Sequence, residues 1–172
     1  MKNVNTLLYL GLNGFPARDA GIQRQLQLSK AIINDQTRVL VINRKGVHSD
    51  KIIDEAGIKT SGVYEGGEYV YTSGTPKYNN NLILRNLLKL KGLVVELYII
   101  IINRFFNNVS HALVKTDSLI QLKYYYFLSR ILRFKLIFDY LEFRSSVMER
   151  GSKEISGKKS FDFEFYKYVD YV

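Results

Sequence analysis

The 172-residue sequence has no cysteine, which excludes disulfides and thiolate metal sites and suits a reducing compartment. It lacks a signal peptide of three-part form: Met1-Lys2-Asn3 leads straight into a strand-like run, so the expected location is cytoplasmic. It has no dense Lys/Arg tract and no nucleic-acid motif. His48 and His111 are isolated and lack metal-ligand spacing, so neither a metal nor another cofactor is expected. No internal repeat is present. Acidic residues are scarce, 16 against 25 Lys and Arg, for a net charge of +9 and a pI near 9.6. That balance favours phosphate-bearing substrates or anionic lipid surfaces ahead of nucleic acid, which is not expected as a partner.

With 47% hydrophobic and 24% charged residues in 20.0 kDa, the composition is that of one globular domain with a real core. Leu7-Leu8-Tyr9-Leu10 reads as a buried strand. A loop with Gly11, Gly14, Pro16 and Gly21 follows, and then a helix over 21–34 whose apolar face carries Ile22, Leu26 and Ile33. Arg38–Asn43 is a β-branched strand. A helix between two such strands implies a right-handed crossover and a parallel sheet. Ile52 and Ile53 fit a short helical turn ending at Gly57. Around Gly66-Gly67, residues 62–72 fit a hairpin or a strand–turn–strand equally.

Residues 80–104 are apolar on nearly every side and are read as a single long helix packed against the sheet, although Val94-Val95 and Ile99 to Ile102 are also compatible with strand. Its longest charge-free run, Leu97 to Asn103, falls far short of the ~20 residues a bilayer span needs. His111–Asp117 is the next strand, followed by a helix over 118–133 on which Lys123, Arg130 and Arg133 form a basic stripe. That stripe is a solvated face or, more sharply, a docking face for anionic lipid. Phe134–Asp139 is a further strand, 144–160 a charged loop, and 161–168 a helix.

In open parallel sheets ligands collect beyond the carboxyl ends of the strands. Three such ends carry polar groups: the Gly11–Gly21 loop, Lys115-Thr116-Asp117, and Asp139-Tyr140-Leu141-Glu142 with Arg144. Gly14 and Gly21 allow backbone approach to a phosphate or sugar, or else only a tight strand-to-helix turn, since they do not form G-x-G-x-x-G. Arg18 offers bidentate geometry to an anion. Asp117 beside Ser118, and Asp139, are binding groups or helix caps. Glu142 sits between Leu141 and Phe143 in a partly apolar setting.

Three stretches resemble the N-terminal half of retaining glycosyltransferases of the GT-B architecture, in the large group called family 4. Leu7–Lys30 is similar to that group's first strand, glycine loop and first helix. Lys135–Phe143 is similar to the strand that ends in an aspartate and then a glutamate. Glu164–Val172 is similar to the helix before the domain's last strands. Where many members carry a histidine this chain has Leu141, and Asp139-x-x-Glu142 matches the form that lacks it. The resemblance implies an α/β, Rossmann-like three-layer domain over 1–172 with a mostly parallel sheet, one half of a GT-B enzyme. No counterpart of the donor-binding domain with its E-x7-E motif precedes Val172, so the expectation is a chain ending before that domain, inactive alone.

The resemblance further implies Asp139 and Glu142 as catalytic groups orienting hydroxyls. It implies Gly14, Phe15, Arg18, Gly21, Arg24 and Asp117 as substrate-binding groups near donor phosphates or acceptor. The partners are then a nucleotide-sugar, met through a second domain, and a glycan or glycolipid acceptor. Hexosyl transfer in polysaccharide or glycolipid synthesis is the implied activity; separately, the net charge and the basic stripe over 123–133 make an anionic surface at the inner membrane face a further expected partner. The alternatives are a non-catalytic carbohydrate- or phosphate-binding module and a subunit of a split glycosyltransferase.

Overall fold

The computed structural model describes residues 4–16, 20–140, 161 and 163–172. Arg18, Leu141, Glu142 and the loop expected over 144–160 lie outside the described residues. In chain order the elements are β1 (Asn5–Leu10), α1 (Ala20–Ile32), β2 (Thr37–Asn43), α2 (Asp50–Ala56), β3 (Ser61–Tyr64) and β4 (Gly67–Tyr71). α3 (Leu82–Phe106), β5 (His111–Val114), α4 (Leu119–Leu132), β6 (Lys135–Phe138) and a 3-10 turn over Phe165–Tyr168 follow.

The six strands form one sheet in the order β3-β4-β2-β1-β5-β6. β1 pairs in parallel with β2 and β5, β2 with β4, and β5 with β6; β3 alone is antiparallel, against β4. The open hairpin question is settled by Glu65 and Gly66, both at positive φ, which close a two-residue β3–β4 turn. Strand alternation divides the core between two faces. Leu8, Leu10, Ile42, Ala112, Val114 and Leu136 pack with Ile100 of α3 and Leu122, Tyr125 and Leu128 of α4. Tyr9, Val39, Val41 and Leu113 point to the other side, with Ile22 and Leu26 of α1. The domain is therefore a three-layer, Rossmann-like α/β fold, as the βαβ opening predicts.

Helix ends follow local chemistry. The Asn81 side chain caps α3 by accepting from Ile83 N and Leu84 N, and the Ser118 hydroxyl accepts from Gln121 N at the start of α4. Ser118, not Asp117, is thus the cap.

Two packing details differ from the sequence-based expectation. α1 buries Gln25 and Ser29 beside Ile22 and Leu26, because its contact face is centred one position away from the most apolar stripe. α3 is one helix but buries only Gly92, Glu96, Ile100 and Asn103; most of its apolar residues face outward. The basic stripe on α4 is a solvated face, with Lys123, Arg130 and Arg133 all exposed, but two of its three cations also contact the C-terminal segment of the chain. Arg130 pairs with Asp170 at 2.7 Å and lies over the Tyr126 ring, and Lys123 lies over Tyr168. These contacts hold the 3-10 turn and Tyr171, which bridges to Ile137 of β6.

Candidate functional site

After β1 and β2 the chain adds β4 on one side, then crosses by α3 to β5 on the other side of β1. The carboxyl ends of β1 and β5 therefore flank a topological switch point, where open α/β sheets form a crevice. The two strand ends are unusually close there. A Cβ on Gly11, whose φ is +90°, would lie 2.4 Å from the Lys115 carbonyl oxygen. Glycine is required by both the backbone angle and the approach.

Beside this point the Asp139 carboxylate is an organising group. One of its oxygens, Oδ1, accepts from Arg24 Nε at 3.1 Å and Nη2 at 3.0 Å, a two-nitrogen guanidinium contact. The other, Oδ2, accepts from the Tyr9 hydroxyl at 2.6 Å and has Lys115 Nζ at 3.9 Å. Burial, then the bond to Asp139, pushes the Tyr9 hydroxyl far above its ordinary pKa, so it stays a donor. Three strand ends and α1 meet in this cluster. It brings together two residues singled out from sequence, Arg24 and Asp139, and engages both oxygens of the buried carboxylate.

The glycine loop divides in two. Gly11 and Asn13 stay at the crevice, whereas Gly14 and Phe15, expected to face a ligand, turn into the protein. Their N–H groups donate to Asn43 Oδ1 at 2.9 and 3.1 Å, and the Phe15 carbonyl accepts from Tyr71 Oη at 2.8 Å. Phe15 is fully buried against Tyr64 and Tyr69, and its peptide bond to Pro16 is cis. Gly21 lies in the first turn of α1, half-buried. Asp117 is exposed in the β5–α4 loop.

A cleft of about 410 Å³ opens from the crevice toward α3, lined by Asn13, Arg44, Lys45, Lys89, Leu90, Leu93 and Gln121. A second, of about 230 Å³, shares Lys45 and Lys89 and adds Lys77, Tyr78 and Arg85. Neither described lining contains an Asp or Glu. α3 reaches this position because Gly92 admits the β2–α2 loop: a Cβ there would lie 2.1 Å from the Arg44 carbonyl oxygen. The Asn13 side chain accepts from Lys45 N at 3.0 Å and so fixes one loop against the other.

The floor of the cleft is a buried polar network. Arg44 Nε donates to Glu96 Oε2 at 2.6 Å, and Tyr125 Oη donates to Glu96 Oε1 at 2.7 Å. Tyr125 in turn accepts from Arg44 Nη2 at 3.1 Å and Gln121 Nε2 at 3.2 Å. Glu96 is fully buried. Burial pushes its carboxyl up, against the pull of Arg44 and Tyr125 in the other direction. Tyr124, beside the same pair, is pushed up to about 12, first by burial and then by the Glu96 charge.

Sequence reasoning passed over Asn43, Arg44, Lys45, Lys89, Glu96 and Gln121. One signal was present: Glu96 is the lone acid in an otherwise apolar and basic helix, and an acid so placed calls for a cation. The resulting arrangement is a positively charged crevice on a rigid, hydrogen-bonded floor, suited to holding an anion. Comparison with known protein families, curated proteins and solved structures returns no match for this chain.

Proposed function

We propose that this domain is the acceptor-side half of a nucleotide-sugar-dependent retaining glycosyltransferase and holds a phosphate-bearing ligand in the basic cleft at its switch point. The observation that carries the reading is the cleft of about 410 Å³ where Lys45 and Lys89 meet Asn13, Gln121 and an Arg44 already paired with Glu96 in the floor, with no Asp or Glu among the described lining residues. Ammonium and guanidinium groups supply charge-assisted bonds to phosphate, and Asn and Gln amides supply hydroxyl partners for a sugar. On this reading Asp139 is a positioning residue that holds Arg24 and Tyr9 at the edge of the site. A donor-binding half, in the same or another polypeptide, provides the facing wall. Transfer by such sites depends on positioning and electrostatics across both walls, so residues 1–172 alone turn over negligible nucleotide-sugar.

A non-catalytic phosphate- or carbohydrate-binding module is the second reading. It is favoured by the Asp139 carboxylate, whose oxygens are both already engaged.

The test is titration of the ¹⁵N-labelled chain with pyrophosphate and with uridine diphosphate. Saturable shifts are expected at Lys45, Lys89 and Gln121, with binding weakened roughly tenfold or more in K45E and K89E, as loss of a charged hydrogen bond requires. Unmoved signals at all three residues overturn both readings. Adding a donor-binding domain then separates them: sugar transfer supports the transferase, and binding without transfer supports the module.

A further inference from the structure

α3 is 25 residues long, about 37 Å, yet only four of its residues are buried. On the opposite face Ile83, Leu87, Leu90, Val94, Tyr98 and Phe105 recur every three, four or seven positions, within about 80° of one another around the axis. They are 58–74% exposed. α4, packed on the same side of the sheet, adds exposed Ile120 and Phe127.

The charges on α3 have one sign at the surface. Of its cations, Lys91 and Arg104 flank the stripe, Arg104 donating through Nε to the Leu132 carbonyl as well, whereas Arg85 and Lys89 face the clefts; its single acid, Glu96, is fully buried against Arg44. An apolar stripe bordered by cations and devoid of exposed carboxylates is complementary to a surface that is apolar beneath and anionic above. A second copy of the chain fits it poorly, since pairing two such helices sets cation against cation with no carboxylate between them.

We propose that the outer face of α3 docks on an anionic phospholipid bilayer. The helix lies in the plane of the interface, with the stripe at the acyl boundary and Lys91 and Arg104 among the headgroups. It does not cross: among the described residues no helix is long and apolar enough to span a membrane. The docking element is thus α3, not the α4 stripe of Lys123, Arg130 and Arg133. The inference is independent of any ligand in the cleft.

The chain has no tryptophan, so V94W provides a single fluorescent reporter on the stripe, outside both cleft linings. With the full chain, vesicles containing 30% phosphatidylglycerol are expected to shift its emission to the blue, and phosphatidylcholine vesicles are not. I52W, on α2, is expected to stay unchanged with both. In co-sedimentation, L87S/V94S is expected to lower partitioning at least tenfold while keeping wild-type circular dichroism, because both side chains are exposed. Removing Lys91 by K91Q is expected to cost about fivefold. Binding that is absent, or equal for neutral and anionic vesicles, overturns the proposal. A blue shift of V94W that grows with protein concentration without vesicles also overturns it, because a second copy then covers the stripe.

Discussion

Replacing Arg44 by methionine removes the guanidinium from a carboxylate that has no access to water. Glu96 is fully buried, and the Arg44 side chain, 22% exposed, meets it through two nitrogens, Nε at 2.6 Å and Nη2 at 2.5 Å. Methionine keeps much of the aliphatic stem but leaves the charge with the Tyr125 hydroxyl. Breaking a buried pair from one side costs about 3–5 kcal/mol, and the partial exposure of Arg44 places this case toward the lower end. Against a typical domain stability of roughly 5–15 kcal/mol that is a large loss.

The loss depends on pH, and its sign is set by Glu96. Burial already raises its carboxyl pKa in the folded state, and Arg44 acts to lower it. Without Arg44 the folded-state pKa rises further. The native variant then holds a proton that the unfolded chain has released, so its stability falls as pH rises. The gap between wild type and R44M is expected to widen with rising pH by up to ~1.4 kcal/mol per unit while that proton is held, and to narrow on acidification. Urea unfolding followed by circular dichroism at pH 5, 6, 7 and 8 measures it. R44M/E96Q should regain most of the loss at pH 8, because the uncompensated charge is gone. A cost below about 1 kcal/mol, or a gap that is the same at pH 5 and pH 8, refutes this account of the network.

Gln25 is buried on α1, and its amide has no hydrogen-bond partner among the described residues. Gln25→Met, nearly equal in volume, is expected to raise stability by about 1–2 kcal/mol in the same urea assay. Gly11→Ala is expected to cost roughly 2–4 kcal/mol through its positive φ and the clash with the Lys115 carbonyl, and to broaden crevice resonances. Burial tends to raise the Asp170 carboxyl, but the hydrogen bonds from Arg130 and Leu136 N outweigh it and hold the group below its ordinary value. The stabilisation by this clamp is therefore present above the ordinary aspartate range and is lost as pH falls through the lowered value. Hydrogen exchange at 165–171 should accelerate on acidification below the ordinary aspartate range, before exchange in β1 does.

Local pattern was enough to read the βαβ opening, the parallel sheet and most element positions. Leu7–Leu10, Arg38–Asn43 and Phe134–Phe138 alternate or run apolar between turn residues, and those features act over a few positions of chain. Charge balance, too, is a property of composition, and the described linings of both clefts are basic. The sequence also marked Arg24 and Asp139, though not that they would bind each other across 115 residues.

Tertiary structure decided what each side chain faces. Periodicity shows that α3 is apolar on nearly every side, but burial is a relation between two surfaces, and only the folded packing decides that one narrow stripe of that helix is covered. The glycine loop promised backbone donors to a ligand, yet Asn43, 28 residues beyond Phe15, takes two of them. The basic stripe on α4 stays solvated, as its pattern suggests, yet only the fold shows that Asp170 and Tyr168 return to meet Arg130 and Lys123. The cleft of Arg44, Lys45 and Lys89 joins a loop after β2 to the middle of α3, about 45 residues apart in the chain. A glycine at 92 that admits the Arg44 backbone makes that approach possible, and it is a contact between distant segments that no local spacing encodes.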